Sequence, residues 1–519
     1  MALLSHLSQL WQEQLQRSSI FGLLLVSILF LSIYILFSSL TKSSGKPLKL
    51  PPSPPKLPLI GNLHQLGAFP HRSLRALSKK YGSLMLFHFG KVPTLVVSSV
   101  EMAREVMKTH DTVFASRPQM TAPGILFYEG HDVAFAPYGD YWRKVRKICV
   151  LELLSLKRVQ QFQYARVEEA AEMVEKIQTA CLSESPIDLS ELLILTSNNI
   201  MCRSILGQKF DDEDGSWFGE TAKELMVQVM SFSFGDMFPA SRWIDSLRGY
   251  IAHLKAIFSR FDKFYDQLID EHKTADREGK TIKKDFVDIL LQIQNDCALD
   301  FEFTKEDLKA LLQDMFVGGS DTSSTAMVWL MAELVRNPRV MKKVQEEVRR
   351  VVGKKAKVEE NDLSQMKYMK CVIKENLRLH PPAPLLIPRE STADIKLGGY
   401  DIPAKTRVMV SAFSIQRDPE VWDRPEEFIP ERFEDSSIDF KGQDFQLIPF
   451  GAGRRGCPGI AFGVLSAEQV LASILYWFDW KVPSTSGSAL PEALDMTEVY
   501  GLTVRKKAPL ILVPVPYSP

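Results

Sequence analysis

The sequence lacks a charge imbalance, is poor in cysteine and contains no internal repeat, and each shortage excludes a class of protein. Its 519 residues include 63 basic and 63 acidic side chains, so the overall charge gives no reason to expect nucleic acid as a partner. The six cysteines are scattered, without the close spacing of a zinc site or of a dense disulfide framework. A mean hydropathy of -0.06 excludes both a disordered chain and a membrane protein with many spans.

Long apolar runs are also rare, and one stands out near the N-terminus. No charged residue occurs from Ser18 to Thr41, and the run Ile20 to Leu40 is long enough to cross the hydrocarbon core as a helix. No small-x-small cleavage site follows, which favours a retained anchor over a cleaved signal peptide. Lysines follow the run, so the positive-inside rule predicts a luminal tail at residues 1–19, a transmembrane anchor at 20–40 and a cytosolic remainder.

A basic and proline-rich hinge is predicted at residues 41–62. Pro51 to Asn62 contains too many prolines for a helix or a central strand and is typical of a semi-rigid, extended spacer. No repeat divides residues 63–519, and we expect them to form one large cytosolic domain.

Apolar residues recur at helical spacing through most of this domain. The amphipathic stretches are Leu74–Tyr81, Val100–Thr109, Arg158–Leu182, Trp243–His272, Lys305–Arg336, Arg339–Val352 and Leu363–Leu379. The shorter strand-like runs are Leu84–Phe89, Thr94–Ser98, Val408–Ser411 and Leu510–Pro514. The mixture predicts a mainly α fold with a minor β region, and the polar stretch His272–Asp285 predicts a surface connection between two long helices.

One cysteine, Cys457, stands in a glycine-rich loop beside two arginines, directly before a long apolar run. Glycines allow the backbone to turn tightly and to approach a flat cofactor. Cationic neighbours and helix N-terminal amides favour the thiolate, which is the form that binds iron. Because a thiolate ligand favours O–O cleavage at haem iron, this loop points to oxygen chemistry.

The loop resembles the haem-binding signature of the cytochrome P450 superfamily. The pattern Phe-x-x-Gly-x-Arg-x-Cys-x-Gly is matched at Phe450, Gly453, Arg455, Cys457 and Gly459. The resemblance implies the cytochrome P450 fold, with one N-terminal transmembrane helix, and haem b (iron protoporphyrin IX) as cofactor. It also implies that Cys457 is the iron ligand and that residues 63–519 form a haem-thiolate catalytic domain.

A long helix is predicted before this loop. Thr304 and Asp307 are spaced as a capping box and Asn337-Pro338 as a stop, which gives a helix of roughly 48 Å. Gly318 and Gly319 stand in its middle, each costing about 1 kcal/mol relative to alanine. We expect hydroxyl groups beside them to bond back to the preceding turn, bend the helix and open a groove for a small ligand.

The run Gly318–Ser323 resembles the oxygen-binding motif of the same superfamily, [Ala/Gly]-Gly-x-[Asp/Glu]-Thr-[Thr/Ser]. The resemblance implies that Asp321 and Thr322 help to deliver protons during dioxygen chemistry. A glycine kink with back-bonded hydroxyl groups and no catalytic role is the alternative interpretation.

Two further segments resemble the Glu-x-x-Arg and Pro-Glu-Arg-Phe elements of the superfamily. Glu375 and Arg378 are three residues apart on one helical face and can pair, and Arg432 lies in the second segment. The resemblance implies a buried network of these three side chains under the haem. We therefore assign them to cofactor retention and folding.

The haem propionates require cations or indole N–H groups. Trp142 and Arg146 are four residues apart, and the family uses a Trp-x-x-x-Arg pair for this task. Arg389 and Arg455 are the other candidates, and for Trp142 a plain packing role stays open. The basic residues within Arg143–Lys147 imply a docking surface for a reductase or, equally, a solvated face.

The late run Ala493–Glu498 and the segment Pro449–Arg455 look most like plant microsomal A-type enzymes of specialised metabolism. The resemblance implies a monooxygenase in the endoplasmic reticulum membrane that acts on a hydrophobic terpenoid, alkaloid or phenylpropanoid. It would use O2 and electrons from NADPH-cytochrome P450 reductase, with cytochrome b5 as an optional second donor.

Two other functions stay open. One is a haem-thiolate isomerase, dehydratase or oxidative-coupling enzyme that inserts no oxygen, against which the Asp321-Thr322 pair and the anchor argue. The other is a non-enzymatic haem-binding membrane protein, which would have little use for a polar, glycine-containing helix opposite the thiolate.

Overall fold

The computed structural model describes residues 22, 25–30, 32, 48–182, 185–209, 221–222, 224–277, 284–295, 301–483 and 494–518. They belong to two compact units, residues 1–49 and 50–519. In the first unit, residues 22, 25–30 and 32 are helical and exposed. The predicted luminal tail and most of the predicted anchor lie outside the described residues.

The second unit is mainly helical, as predicted. Its α-helices are Pro70–Tyr81, Val100–Arg104, Thr121–Leu126, Asp140–Ile148, Leu156–Gln161, Gln163–Cys181, Leu189–Leu206, Phe234–Met237, Trp243–Leu247, Tyr250–Arg277, Phe286–Asn295, Lys305–Arg336, Pro338–Val352, Glu360–Leu363, Lys367–Leu379, Ala412–Ile415 and Ile460–Trp477. Residues 221–222 and 224–229 are also helical.

The minor β region consists of small sheets. The strands are β1 Leu84–Phe89, β2 Val92–Val97, β3 Ile187–Asp188, β4 Arg389–Glu390, β5 Ile395–Leu397, β6 Tyr400–Ile402, β7 Arg407–Val410, β8 Phe478–Lys481, β9 Glu498–Val499, β10 Arg505–Lys506 and β11 Ile511–Pro516. The four-stranded sheet has the order β1-β2-β7-β4, with β2 and β7 parallel and the other pairs antiparallel. Strands β3, β11 and β8 form a second sheet, and β5-β6 and β9-β10 form hairpin-like pairs.

Some predicted helices are divided in the structure. The stretch predicted from Trp243 to His272 is two helices, because Gly249 adopts a left-handed conformation (φ 71°) between them. The second helix continues to Arg277, so the predicted polar connection begins later than His272, and residues 278–283 lie outside the described residues. The stretch Arg158–Leu182 is likewise divided, at Phe162.

The helix Lys305–Arg336, called the long helix below, has the predicted ends. Thr304 Oγ1 accepts the N–H of Asp307, and Asp307 accepts the N–H of Thr304, which completes the capping box. The helix ends before Asn337 and the following proline. Most of its residues are buried, and it stays one continuous α-helix through both glycines.

The helix Ile460–Trp477, which follows Cys457, fills the core on the other side of the cysteine. Among the residues that the structure describes, it is the helix whose length and composition would allow it to cross a membrane. However, 67% of it is buried inside the protein, so its apolar sequence serves the core. Residues of the long helix and of this helix line one cavity, and so do Thr322 and Cys457 from the two predicted motifs.

Candidate active site

An internal cavity of about 310 Å³ lies between the long helix and the loop that carries Cys457. Most of the side chains around it are apolar. They include Phe127, Phe135, Met201, Met226, Met315, Val317, Leu386, Ile387 and Leu502. Thr322 and Cys457 line the same cavity, so the structure brings the two predicted motifs together.

The cysteine loop is shaped by backbone contacts of its own. The Cys457 N–H donates to the Phe450 carbonyl at 2.9 Å, and the Gly456 N–H donates to the Gly453 carbonyl at 2.9 Å. Gly453 is left-handed (φ 68°), and a Cβ atom there would lie 2.0 Å from the carbonyl oxygen of Met107. This glycine is required by the approach of another backbone segment, in addition to any approach of a cofactor.

The Cys457 side chain is exposed to the cavity, although protein surrounds it. Burial raises the pKa of its thiol, while the N–H of Gly459 and the charge of Arg146 act to lower it. The expectation that the adjacent arginines favour the thiolate therefore needs correction. Arg454 is exposed and its backbone N–H donates to Asp111, whereas the cation that acts on Cys457 comes from the helix Asp140–Ile148.

Four arginines line the cavity: Arg117, Arg146, Arg389 and Arg455. Their donors mostly meet backbone carbonyl groups instead of carboxylates. Arg117 Nη1 donates to the Ile387 and Pro388 carbonyl groups at 2.7 and 2.8 Å. Arg389 Nη2 donates to the Ala452 carbonyl at 2.9 Å, and its Nη1 is 3.5 Å from an Asp111 oxygen. Arg146 donates to the carbonyl of Gly456, directly beside the cysteine.

These cations are poorly neutralised by the protein. Burial and repulsion from Arg389 lower the pKa of Arg455 to about 9, and burial lowers that of Arg389 to about 10. Burial also raises the pKa of the neighbouring Asp132 to about 6 and that of Asp314 well above its usual range. An anionic ligand in the cavity would stabilise the arginines, and the two propionates of haem fit this requirement.

Arg117 was missed by the sequence interpretation. It belongs to no motif recognised there, and two of its carbonyl partners, Ile387 and Pro388, are about 270 residues away in the chain. The available signal was a charged residue two positions after the apolar pair Phe114 and Ala115, which is fully buried.

Trp142 does not face the cavity. Its Nε1 donates to the Val133 carbonyl at 3.0 Å, and Arg455 stacks over its ring at 4.1 Å. The indole N–H expected to bind a propionate is used inside the protein. This arrangement favours the packing alternative and places Trp142 behind the arginine.

On the long helix, Thr322 Oγ1 donates to the Gly318 carbonyl at 2.6 Å, which is the back-bonding that the sequence suggested. The glycines before it have different roles. A Cβ atom on Gly319 would lie 2.5 Å from Met201 on the helix Leu189–Leu206, so the second glycine permits close helix packing. A Cβ atom on Gly318 would meet nothing within 4 Å, and both glycines line the cavity.

Asp321 turns away from the cavity toward the end of the chain. Its carboxylate accepts a hydrogen bond from Thr503 Oγ1 and lies 3.7 Å from Arg505 Nη1. Thr503 itself lines the cavity, so a hydroxyl group links Asp321 to the cavity. Because Thr503 and Asp321 are 182 residues apart, no local pattern could have paired them.

Glu375, Arg378 and Arg432 lie together away from the cavity. Arg378 forms two hydrogen bonds with Glu375, at 2.7 and 2.8 Å, and neither side chain is exposed. Arg432 Nε donates to Glu375 Oε1 at 3.1 Å, and the remaining Arg378 donors bind the carbonyl groups of residues 416, 425 and 427. The network ties the helix Lys367–Leu379 to the segment that precedes the cysteine loop.

The basic face of the helix Asp140–Ile148 is partly paired. Arg143 and Lys144 lie 3.0 and 3.2 Å from the carboxylate of Asp140 on the same helix. Arg143 and Lys147 remain exposed. Both readings of this face, as a docking surface and as a solvated surface, are compatible with this geometry.

Comparison with known proteins supports the motifs. A family model described as Cytochrome P450 matches residues 51–507. Phenylacetaldehyde oxime monooxygenase of Prunus mume is 70% identical over the whole of both chains. Cytochrome P450 71A1 of Persea americana is 53% identical over 94% of this chain and 98% of its own. A zebra fish cytochrome P450 structure with progesterone matches 86% of this chain and 100% of its own, with a TM-score of 0.73 and 27% identity.

Proposed function

The chain belongs to the cytochrome P450 family, whose members are haem-thiolate monooxygenases, and from this premise we propose that its substrate is a small arylacetaldehyde oxime. The observation that carries the proposal is the 70% identity, over the full length of both chains, to an enzyme named for phenylacetaldehyde oxime. This proposed substrate lies outside the terpenoid, alkaloid and phenylpropanoid classes that the sequence suggested, and it replaces them.

The cavity chemistry supports a small aromatic substrate with one polar end. Phe127 and Phe135 line it with their ring centroids 5.1 Å apart, and four methionine side chains that can adapt to an aromatic ring share the lining. The hydroxyl-bearing residues Thr322 and Thr503 lie on the same lining and offer partners for an oxime hydroxyl group.

The cysteine and the four arginines have separate proposed roles. Cys457 would hold the haem iron, and Arg117, Arg146, Arg389 and Arg455 would bind the propionates, since these four cations line one cavity. When bound, the haem supplies dioxygen binding and O–O cleavage.

We assign the supply of protons to residues of the long helix. Thr322 holds a proton at Oγ1 on the cavity wall, and Asp321 supplies protons from the side of Arg505 through Thr503. NADPH provides two electrons through a reductase, so that one oxygen atom enters the substrate and the other leaves as water.

We further propose that residues 20–40 anchor the protein in the endoplasmic reticulum membrane, with residues 1–19 in the lumen and the catalytic domain in the cytosol. The uncharged run supports this, as do the exposed apolar side chains of the helical residues 25–30. The redox partner is NADPH-cytochrome P450 reductase, with cytochrome b5 as an optional donor, and the exposed Arg143 and Lys147 offer cations for docking.

The test uses membranes that contain the protein and a plant reductase, supplied with NADPH, isotopically labelled dioxygen and phenylacetaldehyde oxime. A panel of terpenoids, alkaloids and phenylpropanoids is run in parallel. The proposal predicts an NADPH-dependent product of the oxime that carries one labelled oxygen atom. Oxidation of a panel compound with no turnover of the oxime would overturn the substrate assignment.

The same experiment separates the alternative without oxygen insertion. An aldehyde oxime that loses water gives a nitrile, which consumes no dioxygen and carries no label. An unlabelled nitrile as the sole product, formed equally under argon, would replace monooxygenation by dehydration. Membranes with the Cys457→Ser variant provide the matched control, because their product yield should fall to that of membranes without the protein.

A further inference from the structure

The loop of residues 131–136 lies between the long helix and the arginines of the cavity. Two carboxyl groups on the long helix, two turns apart, hold it from one side. Asp307 Oδ1 lies 2.6 Å from His131 Nδ1. Asp314 Oδ2 accepts the backbone N–H of Val133 at 2.5 Å, and the N–H of Ala134 also donates to Asp314.

The carbonyl groups of the same loop accept hydrogen bonds from the opposite side. Val133 O accepts Trp142 Nε1 at 3.0 Å and Arg455 Nη1 at 3.2 Å. Ala134 O accepts Arg117 Nε at 2.8 Å. The peptide group between Val133 and Ala134 therefore has a carboxyl group at its N–H and an arginine and an indole at its carbonyl oxygen.

Burying the carboxyl group of Asp314 at this position costs free energy. It is 8% exposed, and apolar Leu311, Leu312, Met315 and Phe316 surround it in the sequence of the helix. Burial raises the pKa of its carboxyl group well above the usual range. Although the side chain lines the cavity, its hydrogen bonds are made to the loop.

We propose that Asp314 is a positioning residue for the haem, acting through the backbone of Val133 and Ala134 to fix Arg117 and Arg455. A guanidinium group binds a carboxylate in a planar fork, so its affinity depends on how firmly its other donors are held. Loss of the Asp314 acceptor frees this stretch of backbone to move, and the Val133 and Ala134 carbonyl groups that bind the two arginines move with it. This inference rests on the propionate role proposed above for these arginines, and it is independent of the substrate.

The experiment measures the rate at which haem leaves the purified holoprotein and is captured by apomyoglobin. The variants are Asp314→Leu, which accepts no hydrogen bond, and Asp314→Asn, which keeps one acceptor oxygen. The matched control is Gln313→Leu, which removes a buried polar group from the preceding position of the same helix. Gln313 is 1% exposed, accepts the hydroxyl group of Tyr265 at 2.7 Å, and does not line the cavity.

Loss of a hydrogen-bond partner that orients a ligand-binding group costs about 10–100-fold in affinity at a metal site. We therefore expect haem loss to be faster by about that factor in Asp314→Leu and by less in Asp314→Asn. Gln313→Leu should lower thermal stability without changing the rate of haem loss. Equal acceleration in Gln313→Leu would show a general stability effect and overturn the inference. If Asp314→Leu does not fold, the same comparison is made with Asp314→Asn, whose unchanged rate would overturn it.

Arg455→Gln separates this inference from the proposal on which it rests. Faster haem loss in Arg455→Gln, with no change in either Asp314 variant, would overturn the positioning role alone. Unchanged haem loss in Arg455→Gln would overturn the propionate assignment itself. The Soret circular dichroism of the loaded Asp314 variants adds a readout of haem orientation, and a shift from the wild-type band is expected.

Discussion

Gly453 lies so close to the backbone of Met107 that a Cβ atom on the glycine would be 2.0 Å from the Met107 carbonyl oxygen. The contact joins the cysteine loop to the helical turn Glu105–Thr109, and the glycine also has a positive φ of 68°. The loop can therefore keep its shape in front of the cavity only with glycine at this position.

Gly453→Ala is expected to prevent haem incorporation. A left-handed conformation costs a residue with a side chain about 1–3 kcal/mol, and the clash with the backbone adds to it. The measurement is the ratio of Soret to protein absorbance in purified protein.

Gly139→Ala is the control for this substitution. Gly139 precedes the helix that carries Arg146, has an extended backbone, and would place a Cβ atom near no other atom within 4 Å. Haem incorporation should be unaffected by it, and equal losses in both variants would contradict the steric account.

Thr322→Ala should retain haem but release reducing equivalents as peroxide. A positioned proton donor is worth about 10²–10⁴-fold in rate, and water replaces part of it, so product per NADPH should fall roughly tenfold or more. Thr322→Ser, which keeps a hydroxyl group, should restore most of the coupling. Ser324→Ala is the matched control, because Ser324 also bonds back to Ser320 at 3.1 Å but does not line the cavity. Unchanged coupling in Thr322→Ala would remove this residue from proton delivery.

Arg378→Met should destabilise the protein strongly and reduce its haem content. The substitution leaves the unexposed Glu375 without its two shortest charged hydrogen bonds, and breaking such a buried pair costs about 3–5 kcal/mol. Arg424→Met breaks a pair with Glu427 in which both side chains are 58% exposed, and should cost less than about 1 kcal/mol. Urea unfolding of both variants tests this, and similar midpoints would contradict a structural role for the buried network.

A pH-dependent contribution to stability is expected from His272 and Asp285. Burial lowers the pKa of His272, but the hydrogen bond and charge of Asp285 at 2.8 Å prevail and raise it to about 9. Because the folded pKa exceeds the unfolded value near 6.5, the stabilisation is complete below pH 6.5 and is lost as the pH rises through about 9.

Unfolding midpoints of the wild type and His272→Gln should accordingly differ most below pH 6.5 and converge above pH 9. His253→Gln serves as the control, since His253 and its partner Glu224 are 44% and 38% exposed. A difference between wild type and His272→Gln that stays constant with pH would contradict the ion pair.

The sequence could predict the structural features that a short stretch of chain determines. The capping residues of the long helix, its stop before a proline, the back-bonded Thr322 and the Glu375–Arg378 pair all depend on neighbours within four residues. Family resemblance added the meeting of the cysteine loop with the long helix, which the cavity confirms.

Contacts between distant segments were out of reach. Three sets of contacts each join positions more than 100 residues apart: the Asp321–Thr503 hydrogen bond, the bonds from Arg117 to the Ile387 and Pro388 carbonyl groups, and the loop held by Asp314. The expectation that the two arginines next to Cys457 in the sequence favour its thiolate was wrong for the same reason. Sequence neighbours of the cysteine point to other segments, and the acting cation, Arg146, arrives from a helix about 310 residues earlier.

The most direct test of the account is the absorption spectrum of the reduced carbon monoxide complex of Cys457→Ser, beside wild type and Cys149→Ser. Cys149 is a buried cysteine near Arg146, and burial raises the pKa of its thiol to about 12. The account predicts the Soret band of thiolate-ligated haem in the wild type and in Cys149→Ser, and its disappearance in Cys457→Ser. A wild-type spectrum from Cys457→Ser would contradict the assignment of the iron ligand and, with it, the proposed chemistry of the cavity.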